Sequence, residues 1–368
     1  MTNVALYIDP PSHHFLGDRL FDASTNPTSG DNILAPYLVL RERLATRGIT
    51  AHTADLLPTK DDGLRKIYIS VGRLANYRRL AEREDIVLSA FLAMECPIVE
   101  PSTFRALPGA IRYIRRLLCF AGGDALRPFT GQRLDVQRMT WPQCYDGIHE
   151  NIWGRTSRGF LCMINANKLP AIEHQELYTQ RLRAVEFFHG FREIDLYGKG
   201  WDRMPHRLGK TWVPWTARLL GRAVWEARQR HRPDPTYAAV QAASRGPVAS
   251  KAETLGQYTF AICFENMILE GWITEKIFDC FYAGCVPVYW GAPDVTESIP
   301  TEAFIDMRQF SGFDELRRFL HAQSPAAITR YREAARAFIE SPAYDHFRPG
   351  AFADTVWRII REDADLPT

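Results

Sequence analysis

Glu265 and Asn266 end the apolar run Phe260–Phe264, and Thr274-Glu275-Lys276 opens a segment that stops at Gly284 before a second apolar run, Val286–Trp290. The spacing predicts a strand, a Gly-containing loop, a helix and a second strand. Its polar groups gather where the first strand ends and the helix begins, which is where open α/β sheets bind ligands. Thr274 reads as the N-cap, and the Glu275 carboxylate suits the positive end of the helix dipole, whereas the Lys276 ammonium opposes it. Two readings of Lys276 stand. It is a surface lysine reaching into solvent, or it shares an anion such as a phosphate with the free amides of the helix start.

Other polar residues occupy comparable places. Glu95 follows the apolar run Ala90–Met94 and precedes Cys96-Pro97, and Arg181 lies in a helical stretch after Asn165-Ala166-Asn167. If the two halves bearing them face each other, one carboxylate stands opposite two cations, Arg181 and Lys276. A metal-independent sugar transfer needs that set: a base to take the proton of an acceptor hydroxyl, and positive charge to stabilise a departing diphosphate. Each residue has a plainer alternative, with Arg181 pairing with Glu176 or Glu186 and Glu95 capping a turn. Walker A, G-x-S-x-G and H-E-x-x-H motifs are missing. Gly198-Lys199-Gly200 reads as a tight turn. The one D-x-D, Asp363-Ala364-Asp365, falls in the polar tail after the last helix and reads as solvated, so no metal cage is expected.

Alternating elements must position these groups. Val4–Ile8, Ile49–Thr53, Ile67–Val71 and Val87–Met94 read as strands, and Asn32–Arg47 and Leu74–Arg83 as helices. The pattern loosens between Gly122 and Arg158. It then resumes with strand Phe160–Ile164, helix Glu176–Gly190 and strand Ile194–Tyr197, followed by helices at Phe313–His321, Ala327–Ile339 and about Pro349–Arg361. Such alternation implies parallel sheets with helical crossovers. The expected architecture is α/β, with two doubly wound domains facing a central cleft. The first spans 1–155 on the acceptor side and the second 156–345. The last stretch, 346–368, is a helix that could cross back to the first domain.

At 368 residues the chain suits two domains, and 46% hydrophobic and 24% charged residues are ordinary for a globular protein. A net charge of +2 speaks against wholesale nucleic-acid binding. Seven scattered cysteines without a C-x-x-C fit buried thiols in a reducing compartment. The N-terminal MTNVALYIDPP reads as a strand ending in a turn, and no run of 18 apolar residues occurs. The expectation is a soluble protein, cytoplasmic or peripheral to the inner face of a membrane. One insertion, within 203–250, breaks the pattern. Residues 203–232 carry eight Lys/Arg and one acid, Glu226, with Trp212, Trp215 and Trp225 interleaved. Gly221 and Pro214 suggest two short helices at best. The stretch reads either as a basic aromatic surface for anionic lipid or a lipid-linked acceptor, or as a solvated insertion whose tryptophans pack on the second domain.

The segment resembles the α1,3-fucosyltransferase family, glycosyltransferase family 10. The carrying residues are Phe264-Glu265-Asn266, Trp272-Ile273-Thr274-Glu275-Lys276 and Ala283-Gly284-Cys285-Val286-Pro287-Val288-Tyr289-Trp290-Gly291, with Arg181, Ile194–Gly198 and Met94-Glu95-Cys96-Pro97 as weaker upstream matches. The resemblance covers about residues 160–310. It implies a GT-B fold of two Rossmann-like domains, an inverting mechanism and GDP-fucose as donor, acting on a glycan of surface polysaccharide or lipopolysaccharide type. Carried over by motif, Glu95 is the general base, Arg181 and Lys276 clamp the diphosphate, and Glu275 holds the ribose. Asn266 and Trp272 line the nucleotide pocket, and Lys251 is a further phosphate candidate. Two positions depart from the family pattern: Trp272 stands where tyrosine is usual, and Thr259 where lysine or arginine is usual. No cofactor is expected beyond the GDP-sugar co-substrate, although stimulation by a divalent cation stays open. Another NDP-sugar donor, or a catalytically silent glycan-binding protein, are the competing readings.

Overall fold

A computed structural model describes residues 3–25, 32–72, 75–208, 215–231 and 234–366. The chain divides into two compact units, one made of 1–97, 101–146 and 342–368, the other of 98–100 and 147–341. The division falls at 146/147 rather than 155. Residues 149–153 belong to the second unit because His149 N donates to Tyr282 O at 2.9 Å.

The first unit runs β1 (Val4–Asp9), α1 (Ala35–Ala45), β2 (Thr50–Thr53), β3 (Arg65–Val71), α2 (Tyr77–Leu80), β4 (Ile86–Ala93), α3 (Pro101–Ala110), β5 (Arg116–Cys119), α4 (Gly123–Thr130) and β6 (Gln137–Arg138). Its strands form one parallel sheet in the order β2-β1-β3-β4-β5-β6. Every residue of β1 and β4 is buried, as continuous apolar runs in a sheet covered on both faces should be. Leu6 pairs with Ala51 on one side and Ile67 on the other, and both neighbours join its core cluster. The helix expected over Leu74–Arg83 is a single turn, α2. Asn76, just before it, holds a left-handed φ of 59°, which a right-handed helix cannot continue through, and Leu74 lies outside the described residues.

The second unit runs α5 (Glu150–Trp153), β7 (Gly159–Ile164), β8 (Lys168–Leu169), α6 (Tyr178–His189), β9 (Ile194–Tyr197), β10 (His206–Arg207), α7 (Trp215–His231), α8 (Pro235–Ala243), α9 (Lys251–Leu255), β11 (Tyr258–Phe264), α10 (Glu275–Ala283), β12 (Val286–Trp290), α11 (Val295–Ser298), β13 (Ile305–Asp306), α12 (Phe313–His321) and α13 (Pro325–Glu340). The main sheet is parallel in the order β13-β12-β11-β7-β9, and β8 pairs with β10 apart from it. The chain enters at β7, steps to β9 on one side, and later crosses to β11 on the other. The strand order therefore reverses between β7 and β11, and ligand crevices open at such a reversal. In the insertion, α7 is one 17-residue helix rather than two short ones. Gly221 lowers helix stability by about 1 kcal/mol without ending it. Trp212 and Pro214 lie outside the described residues, while Trp225 meets Tyr237 of α8 edge-on at 6.0 Å. All seven cysteines are free thiols, six of them buried.

The last helix, α14 (Pro349–Asp363), belongs to the first unit, where Phe352, Val356, Ile359 and Ile360 join the core around Leu40 and Leu44 of α1. Asp363 is not solvated: it is 2% exposed, and its two oxygens accept from Arg115 Nη1 and Arg116 Nη1, each at 2.7 Å. The helix carries it against the start of β5. Burial alone would raise its carboxyl, but bonds from Arg116, Ser89 and Arg115 hold it below its ordinary value. Asp363→Ala removes the buried acceptor of both guanidinium groups, while Arg115 keeps solvent and Arg116 keeps Glu362, so stability should drop by about 1–3 kcal/mol, read as a lower urea midpoint. An unchanged midpoint would show that water replaces the pair at no cost.

Candidate functional site

Glu265, the residue after β11, is completely buried. Its Oε1 accepts from Thr274 N at 2.8 Å, and Thr274 Oγ1 lies 2.8 and 2.9 Å from its two oxygens. Lys276 Nζ donates to Glu265 Oε2 at 3.0 Å and to Thr274 Oγ1 at 2.8 Å. Thr274 thus occupies the N-cap place of α10 without capping it through its own side chain. The strand before the helix supplies the acceptor instead. Gly291 leaves room for this arrangement, since a Cβ there would stand 2.5 Å from Glu265 Cγ and 2.6 Å from Tyr289 Oη. Of the two readings of Lys276, solvent is excluded. Its side chain is only 19% exposed, and a protein carboxylate already sits beside it.

Charge on this helix start is tightly compensated. Burial would lower the Lys276 ammonium, but Glu265 and then Glu275, 3.7 Å away, hold it above its ordinary value. Burial would raise the Glu275 carboxyl, yet Lys276 and Lys251 push it down to about 2. A carboxyl depressed in the folded state stabilises at pH values above its unfolded value and loses that contribution as pH falls through its folded one. This cluster should therefore leave the melting temperature flat near neutrality and lower it as pH falls from about 4.5 toward 2. Glu275→Gln should flatten that acid limb in a pH series of thermal melts. An identical limb would remove Glu275 as its source.

Arg181 enters from α6, the helix that follows β7, and reaches across to the end of β11. Its Nε and Nη2 donate to Phe264 O at 3.1 and 2.6 Å, and Nη2 also donates to Asn266 Oδ1 at 3.1 Å. The guanidinium lies 4.7 Å over the Tyr178 ring, and the residue is 4% exposed. The pairings with Glu176 and Glu186 do not form, since Glu176 accepts from Thr179 N and Glu186 from Thr236 Oγ1. Leu177 N donates to Asn266 O at 3.0 Å, so the loop after β11 is stapled to the start of α6. Lys251 Nζ donates to Asp279 Oδ2 of α10 at 3.0 Å. Trp272 is 2% exposed, and Tyr289 Oη donates to its carbonyl at 3.4 Å. Its ring shapes the loop from within and presents no open face to a nucleotide, contrary to the pocket-lining role expected for it.

Arg181, Asn266, Glu275 and Lys276 are therefore brought together where the strand order reverses, with Lys251 joined to them through α10. Two residues at this end escape sequence reasoning. Glu265 reaches Thr274 and Lys276 only through the turn of the loop, which no spacing rule displays. Lys199, at the end of β9, is exposed and makes no ion pair among the described residues. It follows Gly198, whose φ of +132° and Cβ position 1.9 Å from Asn165 O admit no side chain.

Glu95 lies in the first unit, two residues beyond β4 and half-buried, and its Oε1 accepts from Cys96 N at 2.9 Å. That bond fixes the orientation of one carboxylate oxygen. Among the described residues, no three His, Cys, Asp or Glu side chains are grouped so as to hold a metal ion.

Comparison with known proteins meets this site directly. Residues 233–335 match the model for the C-terminal domain of glycosyltransferase family 10 (fucosyltransferase). An α-(1,3)-fucosyltransferase of Helicobacter pylori is 34% identical over 100 residues, which cover 26% of this chain and 21% of that protein. The GDP-fucose protein O-fucosyltransferase 3 of Xenopus laevis is 40% identical over 67 residues, covering 18% of this chain and 14% of that protein. The chain thus matches about a fifth or less of these relatives' length. An α-glucosyltransferase solved with UDP and a 13-mer DNA superposes over 97% of this chain and 98% of its own, with a TM-score of 0.51 at 12% identity, and so shares the fold. That fold is GT-B, built from two Rossmann-like units. The matched segment, residues 233–335, is the one that holds Glu265, Asn266, Glu275 and Lys276.

Proposed function

We propose that the protein is an inverting glycosyltransferase that moves fucose from GDP-fucose to a hydroxyl of a glycan acceptor. One observation carries this reading: Lys276 sits at the start of α10, beside the strand-order reversal, within the family-matched segment. Lys276 has spent two N–H donors on Glu265 and Thr274, and the third is the one a diphosphate oxygen would take. The amides of the first turn of α10 add to the same attraction for an anion. Glu95 takes the proton of the acceptor hydroxyl as its oxygen bonds to the anomeric carbon, and the bond from that carbon to the diphosphate breaks. The electron pair leaves with GDP, whose added charge falls on Lys276. Attack opposite the leaving group inverts the anomeric centre. The GDP-fucose named for the Xenopus relative supports the donor assignment.

A charge-assisted hydrogen bond contributes about 1.5–3 kcal/mol, so Lys276→Ala should weaken GDP roughly 10- to 150-fold in calorimetric titration. Equal affinities would withdraw Lys276 from the diphosphate. Thermal shifts with GDP, UDP and dTDP should be largest for GDP, because the bound ligand stabilises the folded state. The anomeric proton of the product, read by NMR, reports inversion or retention directly.

A further inference from the structure

The first half of α7 stands away from the body of the second unit. Residues 216, 217 and 219–224 are exposed, and none of the described side chains of this 17-residue helix is buried. Leu219, Leu220 and Val224 are 56, 67 and 60% exposed, three large aliphatic side chains within six residues. At about 100° per residue, Ala217, Leu220, Ala223, Val224 and Ala227 fall on one arc of roughly 120°, with Leu219 at its edge. Trp225 points the opposite way, where it meets Tyr237 of α8. The helix therefore holds the protein by its back and offers an apolar front. Arg228, exposed, lies at one edge of that front, while Arg222 falls on the far side of the helix and pairs with Glu226 at 2.7 Å.

In proteins most of a helix's stability comes from packing its apolar face, and this one is left uncovered. Two features decide what covers it. The stretch 203–232 holds eight Lys/Arg against a single acid, in a chain whose net charge is only +2, so positive charge is concentrated here. A two-fold pairing with a second copy would bring two such positively charged stretches together. A surface that is apolar below and anionic above suits both the aliphatic arc and Arg228, whose stem can lie along the boundary.

We propose that α7 is a membrane-docking helix that lies in the plane of an anionic lipid surface, with Leu220 and Val224 inserted and Arg228 among the headgroups. No helix among the described residues is long and apolar enough to cross a membrane, so this contact is peripheral. The assignment is independent of the donor and of Glu95, since α7 carries none of the residues assigned to the reaction.

The test is co-sedimentation of the full chain with vesicles of phosphatidylcholine containing about a third phosphatidylglycerol, compared with phosphatidylcholine alone. Binding should require the anionic lipid, fall as salt rises, and drop about tenfold or more in Leu220→Ser/Val224→Ser. Arg228→Glu should weaken the preference for anionic lipid. GDP affinity measured on each variant shows that the fold is intact. Equal binding of wild type and the serine variant would overturn the proposal, as would equal binding to both vesicle types. It would also be overturned by concentration-dependent dimerisation that the serine variant loses, since a second copy would then cover the face.

Discussion

Replacing Glu95 with glutamine should lower turnover by about 10²–10⁴-fold while leaving the affinity for GDP unchanged. Glutamine keeps the size of the side chain and an oxygen to accept from Cys96 N, so local geometry survives. The capacity to take a proton is lost. The nucleotide contacts assigned above belong to other residues in the second unit, so titration with GDP should not register the change. Steady-state turnover with saturating donor and calorimetry on the same preparation separate the two effects. Near-normal turnover would remove Glu95 from the reaction, and a parallel loss of GDP binding would make its role structural.

The second large effect is expected at Glu265. Its carboxylate is the acceptor for Thr274 N, the Thr274 hydroxyl and the Lys276 ammonium together, with no solvent to replace it. Removing one partner of a buried ion pair costs about 3–5 kcal/mol, because the other charge stays behind uncompensated. Glu265→Ala should therefore lower the unfolding midpoint sharply and free Lys276 from its orientation, so that GDP affinity falls as well. A second substitution separates structure from binding. In Glu265→Gln/Lys276→Met the stranded charge is gone, and stability should recover by about 1 kcal/mol or more relative to Glu265→Gln alone, whereas GDP affinity should not. Recovery of both would mean that Lys276 never touches the ligand. Recovery of neither would place the role of Glu265 in the helix start alone.

These two residues also show what was legible in the sequence. Strands β1, β3, β4, β11 and β12 are each built on a largely apolar run with polar or Gly/Pro punctuation, and a fully covered parallel sheet demands that pattern. The helix α10 was readable from Thr274 to Gly284 because both ends carry their own signals. Glu265 was visible only as the polar end of a strand, since its bonds depend on how the loop folds back over nine residues. Asp363 looked solvated because its neighbours in the chain are polar, while its partners Arg115 and Arg116 lie some 250 residues away. The extent of α7 was misjudged from Gly221, whose cost is smaller than the cooperativity of the flanking turns.

The return of α14 to the first unit has a bearing on how the chain is made. The segment 147–341 is continuous and could complete its own sheet while synthesis proceeds, whereas the unit begun by Val4–Asp9 lacks Phe352, Val356, Ile359 and Ile360 until residue 360 has been translated. The nascent N-terminal portion must wait with the apolar side of α1 uncovered, contrary to the usual N-to-C order. A chain released at residue 341 would keep that side open to water. It should bind hydrophobic dyes and associate with chaperones, whereas the longer chain should not.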